Sequence, residues 1–121
     1  MRKKIINSAQ SPDRSGPYSQ AVAVEAQRFV FFSAITSPMA KPFEVEASDV
    51  VDRLHTLLDA SGLTSDNLVK LTVYFVDLAH RPAVHAALER IIGERPPAVT
   101  EVQVSGIPQG GSVAIDAIAA S

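Results

Sequence analysis

Cysteine is absent from the sequence, and basic residues are not in excess. Without a thiol the chain forms no disulfide framework, no thiolate nucleophile and no zinc site built on cysteine. The 11 Lys and Arg residues face 13 Asp and Glu residues, for a formal net charge of −2. Because no positive excess is left to neutralise a phosphate backbone, we expect no nucleic-acid partner.

Long hydrophobic runs are also missing. Only Ile5 and Ile6 follow the basic start of the chain, which is far too short an apolar region for a signal peptide. The longest nearly apolar run, residues 29–35, cannot span a membrane and includes Ser33. We therefore expect a soluble cytoplasmic protein with no membrane partner. With 46% hydrophobic and 20% charged residues, the 121 residues are typical of a single globular domain covering 1–121.

The eight prolines divide the chain into short segments whose hydrophobic period indicates their structure. Segments 7–17 and 37–47 have the composition of loops, and 25–27 could close a hairpin. Ser48 is the expected cap of the first helix, and Pro82 suits the first turn of the second. The predicted strands are 3–6, 19–25, 28–33, 70–77, 99–104 and 112–119, and the predicted helices are 48–62 and 82–93.

The element order βββαβαββ predicts an α+β fold. In such a small domain this means a two-layer sandwich, a mixed sheet with both helices on one face. The other face of the sheet would stay uncovered although it carries aromatic side chains. Because apolar patches of this size are uncommon on monomers, the pattern predicts self-association.

Few residues reveal chemistry by their type alone. The histidines at 55, 80 and 85 show no spacing typical of metal ligands, so we expect no metal site. Tyr18 follows Gly-Pro in a constrained loop, where it either packs or donates a hydrogen bond into a pocket. Strand alternation places Glu101 on the face of Val99, either at a solvent-facing edge or in an interface cleft. Asp116 is a lone acid in an apolar strand, where it caps backbone groups or faces a polar cavity.

Five segments together resemble the RidA/YjgF family over nearly the whole chain. They are GPYSQAV (16–22), RFVFFSAITSP (28–38), LLDASGLTSDNLVKLTVYFVDLA (57–79), VHAALERIIGERPPAVTEVQVSGIPQGG (84–111) and VAIDAIA (113–119). The resemblance implies a chorismate-mutase-like α+β fold and a homotrimer with ligand clefts between subunits. Active members hydrolyse enamine and imine intermediates made by pyridoxal-phosphate enzymes, releasing a keto acid and ammonia without metal or cofactor. Their hallmark is an arginine in a Pro-Ala-Arg-Ser stretch, whose planar fork clamps the substrate carboxylate.

This sequence departs from the family at the hallmark position. Residues 97–100 read Pro-Ala-Val-Thr, so an apolar side chain, Val99, stands where the arginine would be. Arg95 lies four residues earlier, before two prolines, and is a weak replacement. Other family positions are also changed. The usual acid near the C-terminus is the shorter Asp116, and a position that is often Cys or small in the family is Glu101. A common Asn is His85 and a usual Gly is Ala34, whereas the family residues are kept at Tyr18, Ser33 and Lys70.

The resemblance and these departures imply a RidA-like trimer that acts on a small neutral or cationic enamine-, imine- or carbonyl-type intermediate, for instance in specialised biosynthesis. The reaction would be hydrolysis, tautomerisation or cyclisation by acid/base catalysis in an intersubunit cleft, without cofactor. The expected catalytic residues are Glu101, Tyr18 and Asp116, and the expected substrate-binding residues are Ser33, Ala34, His85 and Val99.

Two alternatives remain open at this stage. One is a 2-iminobutanoate/2-iminopropanoate-type deaminase in which another group holds the carboxylate, and the other is a non-catalytic ligand-binding or chaperone-like trimer. For Glu101 we expect desolvation, and Asp116 if strand register brings it close, to raise its pKa toward neutrality. The contrasting interpretation is a rim glutamate paired with a Lys or Arg of the next subunit.

Overall fold

The computed structural model describes residues 1–11, 16–37 and 42–121, so parts of the two predicted loops, 12–15 and 38–41, lie outside the described residues. Three short 3-10 turns, Ser65–Asn67, Leu78–His80 and Pro108–Gly110, join the main elements. The main elements are β1 (Arg2–Ile6), β2 (Ala21–Glu25), β3 (Phe29–Ile35), α1 (Phe43–Ala60), β4 (Leu68–Phe75), α2 (Arg81–Glu89), β5 (Ala98–Gln103) and β6 (Val113–Ala120). This is the βββαβαββ order that the sequence predicts, and the α+β fold class is confirmed.

The strands form a four-stranded mixed sheet and a separate two-stranded one. The larger has the order β3-β6-β4-β5, with β4 and β5 parallel and the other pairs antiparallel. The smaller is the antiparallel pair β1-β2. Among the described residues β2 does not pair with β3, so the expected hairpin is not formed. The backbone N–H groups of Gln27 and Arg28 instead donate to the carbonyl of Ser121, which ties the start of β3 to the end of β6.

The two faces of the larger sheet differ in burial. Leu71, Val73 and Phe75, alternating along β4, are fully buried in one core with both helices. Such alternation follows from the two-residue period of a strand. On the other face of the isolated chain the aromatic rings are open, with Phe31 72% and Phe29 49% exposed. This is the uncovered apolar face that the sequence predicts.

Helix α1 starts earlier than predicted. It begins at Phe43 after Pro42, whereas the sequence interpretation put Ser48 at the cap and residues 43–47 in a loop. Glu46, in the first turn, is buried, and its Oε1 accepts the backbone N–H of Ser112 at 2.7 Å. Acidic groups are favourable at a helix N-terminus, which helps this turn to form. Ser48 instead accepts a hydrogen bond from Arg90 at 2.9 Å.

Lys3 fastens the β1-β2 pair to the rest of the molecule. Its Nζ donates to the backbone carbonyls of Asp66 and Leu68, each at 2.9 Å, and of Arg95 at 2.6 Å. Arg95 in turn donates to the carbonyl of Lys3. Burial lowers the pKa of Lys3, an effect that Asp66 opposes and Arg95 reinforces. We call these contacts of Lys3 with Asp66, Leu68 and Arg95 the Lys3 anchor.

Candidate functional site

Glu101 is the centre of a hydrogen-bonded group that we call the Glu101 cluster: Glu101, Tyr18, Arg81 and His85. The Glu101 side chain is only 9% exposed. Its Oε2 accepts the Tyr18 hydroxyl at 2.7 Å and lies 2.8 Å from His85 Nε2. Its Oε1 accepts a hydrogen bond from Arg81 Nε at 3.0 Å and forms an ion pair with Arg81 Nη2 at 2.9 Å. Both oxygens of the carboxylate therefore accept hydrogen bonds from side chains of other elements.

Three elements bring these side chains together. Glu101 lies on β5 opposite Val73 of β4, on the helix-facing side of the sheet. Arg81 and His85 are four residues apart on α2, so they lie on the same face of that helix. The loop that carries Tyr18 is held to the start of β5 because Ser19 N donates to the Pro97 carbonyl at 2.9 Å.

The His85 ring is closely packed. The Tyr18 ring meets it edge-on, with centroids 5.0 Å apart and an interplanar angle of 84°. Gly16, at a φ of +127° that favours glycine, lies against the ring, and a Cβ there would come within 3.0 Å of Nδ1. The ring borders a groove of about 580 Å³ that is also lined by Gly16, Leu78, Arg81, Pro82 and Glu89.

The pKa of Glu101 is lowered in the folded chain, whereas the sequence interpretation expected it to be raised. Burial alone would raise it, but the hydrogen bonds from Tyr18, His85 and Arg81 outweigh burial, and the pKa lies below its usual value. The predicted rise toward neutrality is therefore wrong. At neutral pH Glu101 is an ionised acceptor, which is unsuited to donate a proton.

Asp116 lies apart from this cluster. It stands opposite Thr72 of β4, whereas Glu101 stands opposite Val73, so the two carboxylates project to opposite faces of the sheet. On its face Asp116 accepts the hydroxyl of Tyr74 at 2.7 Å. That hydrogen bond, with burial and the negative charge, raises the pKa of the Tyr74 phenol. Within one chain Asp116 cannot act on the same ligand as Glu101.

Ser33 and Ala34 lie in a third part of the molecule, apart from both the Glu101 cluster and Asp116. The pairing of β3 with β6 shifts between Phe32 and Ile35, and both intervening residues are exposed there. They line a groove of about 600 Å³ between β3 and α1, together with Arg53. In the strand order three spacings separate β3 from β5, or roughly 14 Å. One chain alone does not bring these residues to the Glu101 cluster.

The residue at the hallmark position is part of the core. Val99 is 6% exposed, opposite Leu71 on β4. Arg95, considered above as a replacement, is engaged at the Lys3 anchor and lies 3.6 Å from Asp66. The guanidinium that does reach the site belongs to Arg81, whose side chain is 42% exposed and which sequence reasoning missed. Its four-residue spacing from His85 at a helix start was the available signal.

Neither a metal site nor a membrane-spanning helix is found in the described ranges. No group of three or more His, Cys, Asp or Glu side chains there could hold a metal ion. His55 Nδ1 lies 3.7 Å from Asp59, an exposed pair on α1 that lacks further ligands. None of the helices in these ranges combines the length and apolar character needed to cross a membrane.

Comparison with known proteins decides the family. Residues 8–121 match the family described as Endoribonuclease L-PSP, the RidA/YjgF family. The chain belongs to the RidA/YjgF family. It is 38% identical over 128 residues to Protein DfrA of Myxococcus xanthus, covering 100% of this chain and 98% of that protein. It is 33% identical over 122 residues to the 2-iminobutanoate/2-iminopropanoate deaminase of Capra hircus, covering 97% and 89%.

The fold comparison agrees with the sequence comparison. A structure of the conserved Rid protein family from Yersinia pestis, YyfB, of unknown function, superimposes with a TM-score of 0.83. The match covers 100% of both chains at 23% identity, so it supports the RidA fold and nothing finer. This RidA-family chain has enamine/imine deaminase-like relatives and carries the Glu101 cluster on that fold.

Proposed function

We propose that this RidA-family chain is a cofactor-independent enzyme that acts on a small neutral or cationic enamine-, imine- or carbonyl-type intermediate. The proposal rests on two residues of β5 that differ from the family pattern. An apolar, buried Val99 occupies the position of the carboxylate-binding arginine, and an ionised Glu101 follows two residues later. A site with valine in place of that arginine lacks the group that binds the carboxylate of small anionic imino acids.

We further propose that the active assembly is a homotrimer with its clefts between subunits. The separation of the site positions supports this, because Ser33 and Ala34 lie at the opposite edge of the sheet from Glu101. A second subunit is the means by which such distant positions meet. The exposed rings of Phe29 and Phe31 supply apolar surface for the contact.

Light scattering at micromolar concentration tests the assembly. We expect a trimer mass for the wild type and smaller species for Phe31→Glu, because a charge would have to be buried at the contact. Val45→Glu, at a similarly exposed apolar position on α1, is the control and keeps the wild-type mass. A monomeric wild type would contradict the proposal.

The substrate preference is tested with a matched pair of imines. One is 2-iminobutanoate, generated in place from threonine by a dehydratase; the other is propan-1-imine, the same skeleton without the carboxylate, generated from propylamine by an amine oxidase. We expect a larger acceleration over the uncatalysed rate for propan-1-imine. The double variant Val99→Arg, Glu101→Cys should reverse this order, because a charged partner for a carboxylate is worth about 2–5 kcal/mol, roughly 30- to several-thousand-fold in rate.

Outcomes of this assay separate the candidates. If the wild type accelerates neither imine, the proposed enzymatic function is wrong. If it prefers 2-iminobutanoate, the second candidate, a 2-iminobutanoate/2-iminopropanoate-type deaminase, is favoured. Arg81 gives that candidate its structural support, since its guanidinium borders the groove. Arg81→Gln would then abolish the preference, whereas Arg2→Gln, at an exposed arginine that pairs with Glu25 on the β1-β2 surface, would not.

A further inference from the structure

His85 has one ring nitrogen bound and the other available. An ionised carboxylate only accepts hydrogen bonds, so the proton in the contact with Glu101 belongs to His85 Nε2. In the neutral ring Nδ1 is then an acceptor. Among the described residues no hydrogen bond to His85 Nδ1 is found, and this nitrogen is not one of the fully buried atoms there that lack a partner.

The surroundings hold this ring in one orientation. Glu101 fixes Nε2, the Tyr18 ring meets the imidazole edge-on, and Gly16 packs against it. The side chain is 14% exposed, and it lines the groove described above. A carboxylate that fixes the tautomer of an imidazole and stabilises its protonated form is the general arrangement by which histidine becomes an effective base.

We propose that His85 is the catalytic base of the Glu101 cluster, acting through Nδ1, and that Glu101 is its positioning residue. The inference rests on the proposed function and names the group that moves the proton. It differs from the sequence expectation, in which Glu101 transfers the proton and His85 binds substrate. It also uses a residue at a position where the family commonly has asparagine.

The step is written for a protonated imine. Water attacks the imine carbon, a C–O bond forms, and the π pair of C=N moves to nitrogen. The water proton passes to Nδ1 and gives an imidazolium beside Glu101. That proton then moves to the amine nitrogen, which leaves as ammonia while the hydroxyl oxygen becomes the carbonyl and releases its proton to solvent. The sum is imine cation plus water giving a carbonyl compound, ammonia and a proton, which combine in solvent as ammonium.

Four charged or titratable side chains face or flank this imidazole. Glu101 from β5 contacts its Nε2, Tyr18 contacts the ring from the loop, and Arg81 precedes it by one turn on α2. Glu89, one turn later, lines the same groove. The pH dependence of the reaction should report the imidazole within this set, because a base must be unprotonated to act.

The first test uses ¹⁵N NMR of the histidine rings and needs no substrate. At pH 7.5 we expect His85 to show the Nε2–H tautomer, and Glu101→Gln to lose that preference. His55, exposed and 3.7 Å from Asp59, is the internal control and should be unaffected by the substitution. A His85 ring with Nδ1–H, or one fully protonated at pH 7.5, would overturn the proposal.

The second test is the pH profile with propan-1-imine. His85→Gln should lower kcat by about 10²–10⁴-fold with little change in KM, and remove the fall in rate at acid pH. Added imidazole should restore part of the rate to His85→Ala but not to Tyr18→Phe, and His55→Gln should behave as wild type. Wild-type activity with an unaltered profile in folded His85→Gln refutes the His85 role alone. Absence of activity in the wild type refutes the proposed function and this role with it.

Discussion

Replacing Glu101 by glutamine should destabilise the folded chain substantially. The substitution keeps the shape but removes the charge that accepts from three side chains, and it turns one acceptor into a donor facing other donors. The contacts with Tyr18 and His85 are largely buried, whereas Arg81 is 42% exposed and its share is reduced by solvent screening. We expect a loss of about 2–3 kcal/mol in the free energy of unfolding, or roughly 8–12 °C in Tm for a domain of this size.

The stability contributed by Glu101 should also depend on pH in a definite direction. Because folding lowers the pKa of Glu101 below its ordinary value of 4.5, the carboxylate contributes its stabilisation above that value. The contribution is lost as the pH falls through the folded-state pKa. The difference in stability between the wild type and Glu101→Gln should therefore be fully present at pH 6–8 and shrink at pH below about 4.

Urea unfolding followed by circular dichroism, at one fixed protein concentration, measures both effects. The concentration is fixed because assembly changes the apparent stability. Glu25→Gln is the matched control, since its carboxylate pairs with Arg2 on the surface at 3.2 Å. It should cost at most about 0.5 kcal/mol. A Glu101→Gln variant as stable as this control, or a difference that persists unchanged to pH 3, would refute the reasoning.

Three further predictions concern other parts of the chain. Asp116→Asn should bring the raised pKa of Tyr74 down toward its usual value, measured by alkaline ultraviolet titration; an unchanged titration would disprove the hydrogen bond's role. Gly16→Ala should cost about 1–3 kcal/mol in thermal unfolding and shift the NMR signals of His85, because the φ of +127° is strained for alanine; normal stability would argue against this loop geometry. Lys3→Met should speed hydrogen exchange of the β1 amides by about tenfold or more, and protection equal to the wild type would count against the anchor.

Local patterns explain what could be predicted of the fold. The branched and aromatic run of β4 and the apolar spacing of α1 and α2 depend on neighbouring residues, and all three elements are found. The start of α1 depends on the burial of Glu46 against Ser112, 66 residues away, so the weak cap signal at Ser48 was misleading. The pairing of β2 with β1 rather than β3 is likewise set by distant contacts.

Three of the four side chains in the Glu101 cluster could be singled out from the sequence, whereas Arg81 and the arrangement of the cluster could not. Tyr18 and His85 contact Glu101 in the folded chain, and Val99 precedes Glu101 by two residues on β5. Whether Asp116 joins them depends on strand register, which a sequence does not state. The direction of the Glu101 pKa depends on donors 16, 20 and 83 residues away, and only the folded chain shows that they outweigh burial.

The Lys3 anchor also has a consequence for the order of synthesis. During synthesis Lys3 is made 63, 65 and 92 residues before the residues whose carbonyls receive its ammonium, Asp66, Leu68 and Arg95. The β1-β2 pair can therefore be fully anchored to the rest of the molecule only after residue 95 has been made. Loop closure over such distances is slow compared with local helix formation. The N-terminal segment is made first and secured late, which gives nascent chains a long interval in which its apolar residues are open to chaperones.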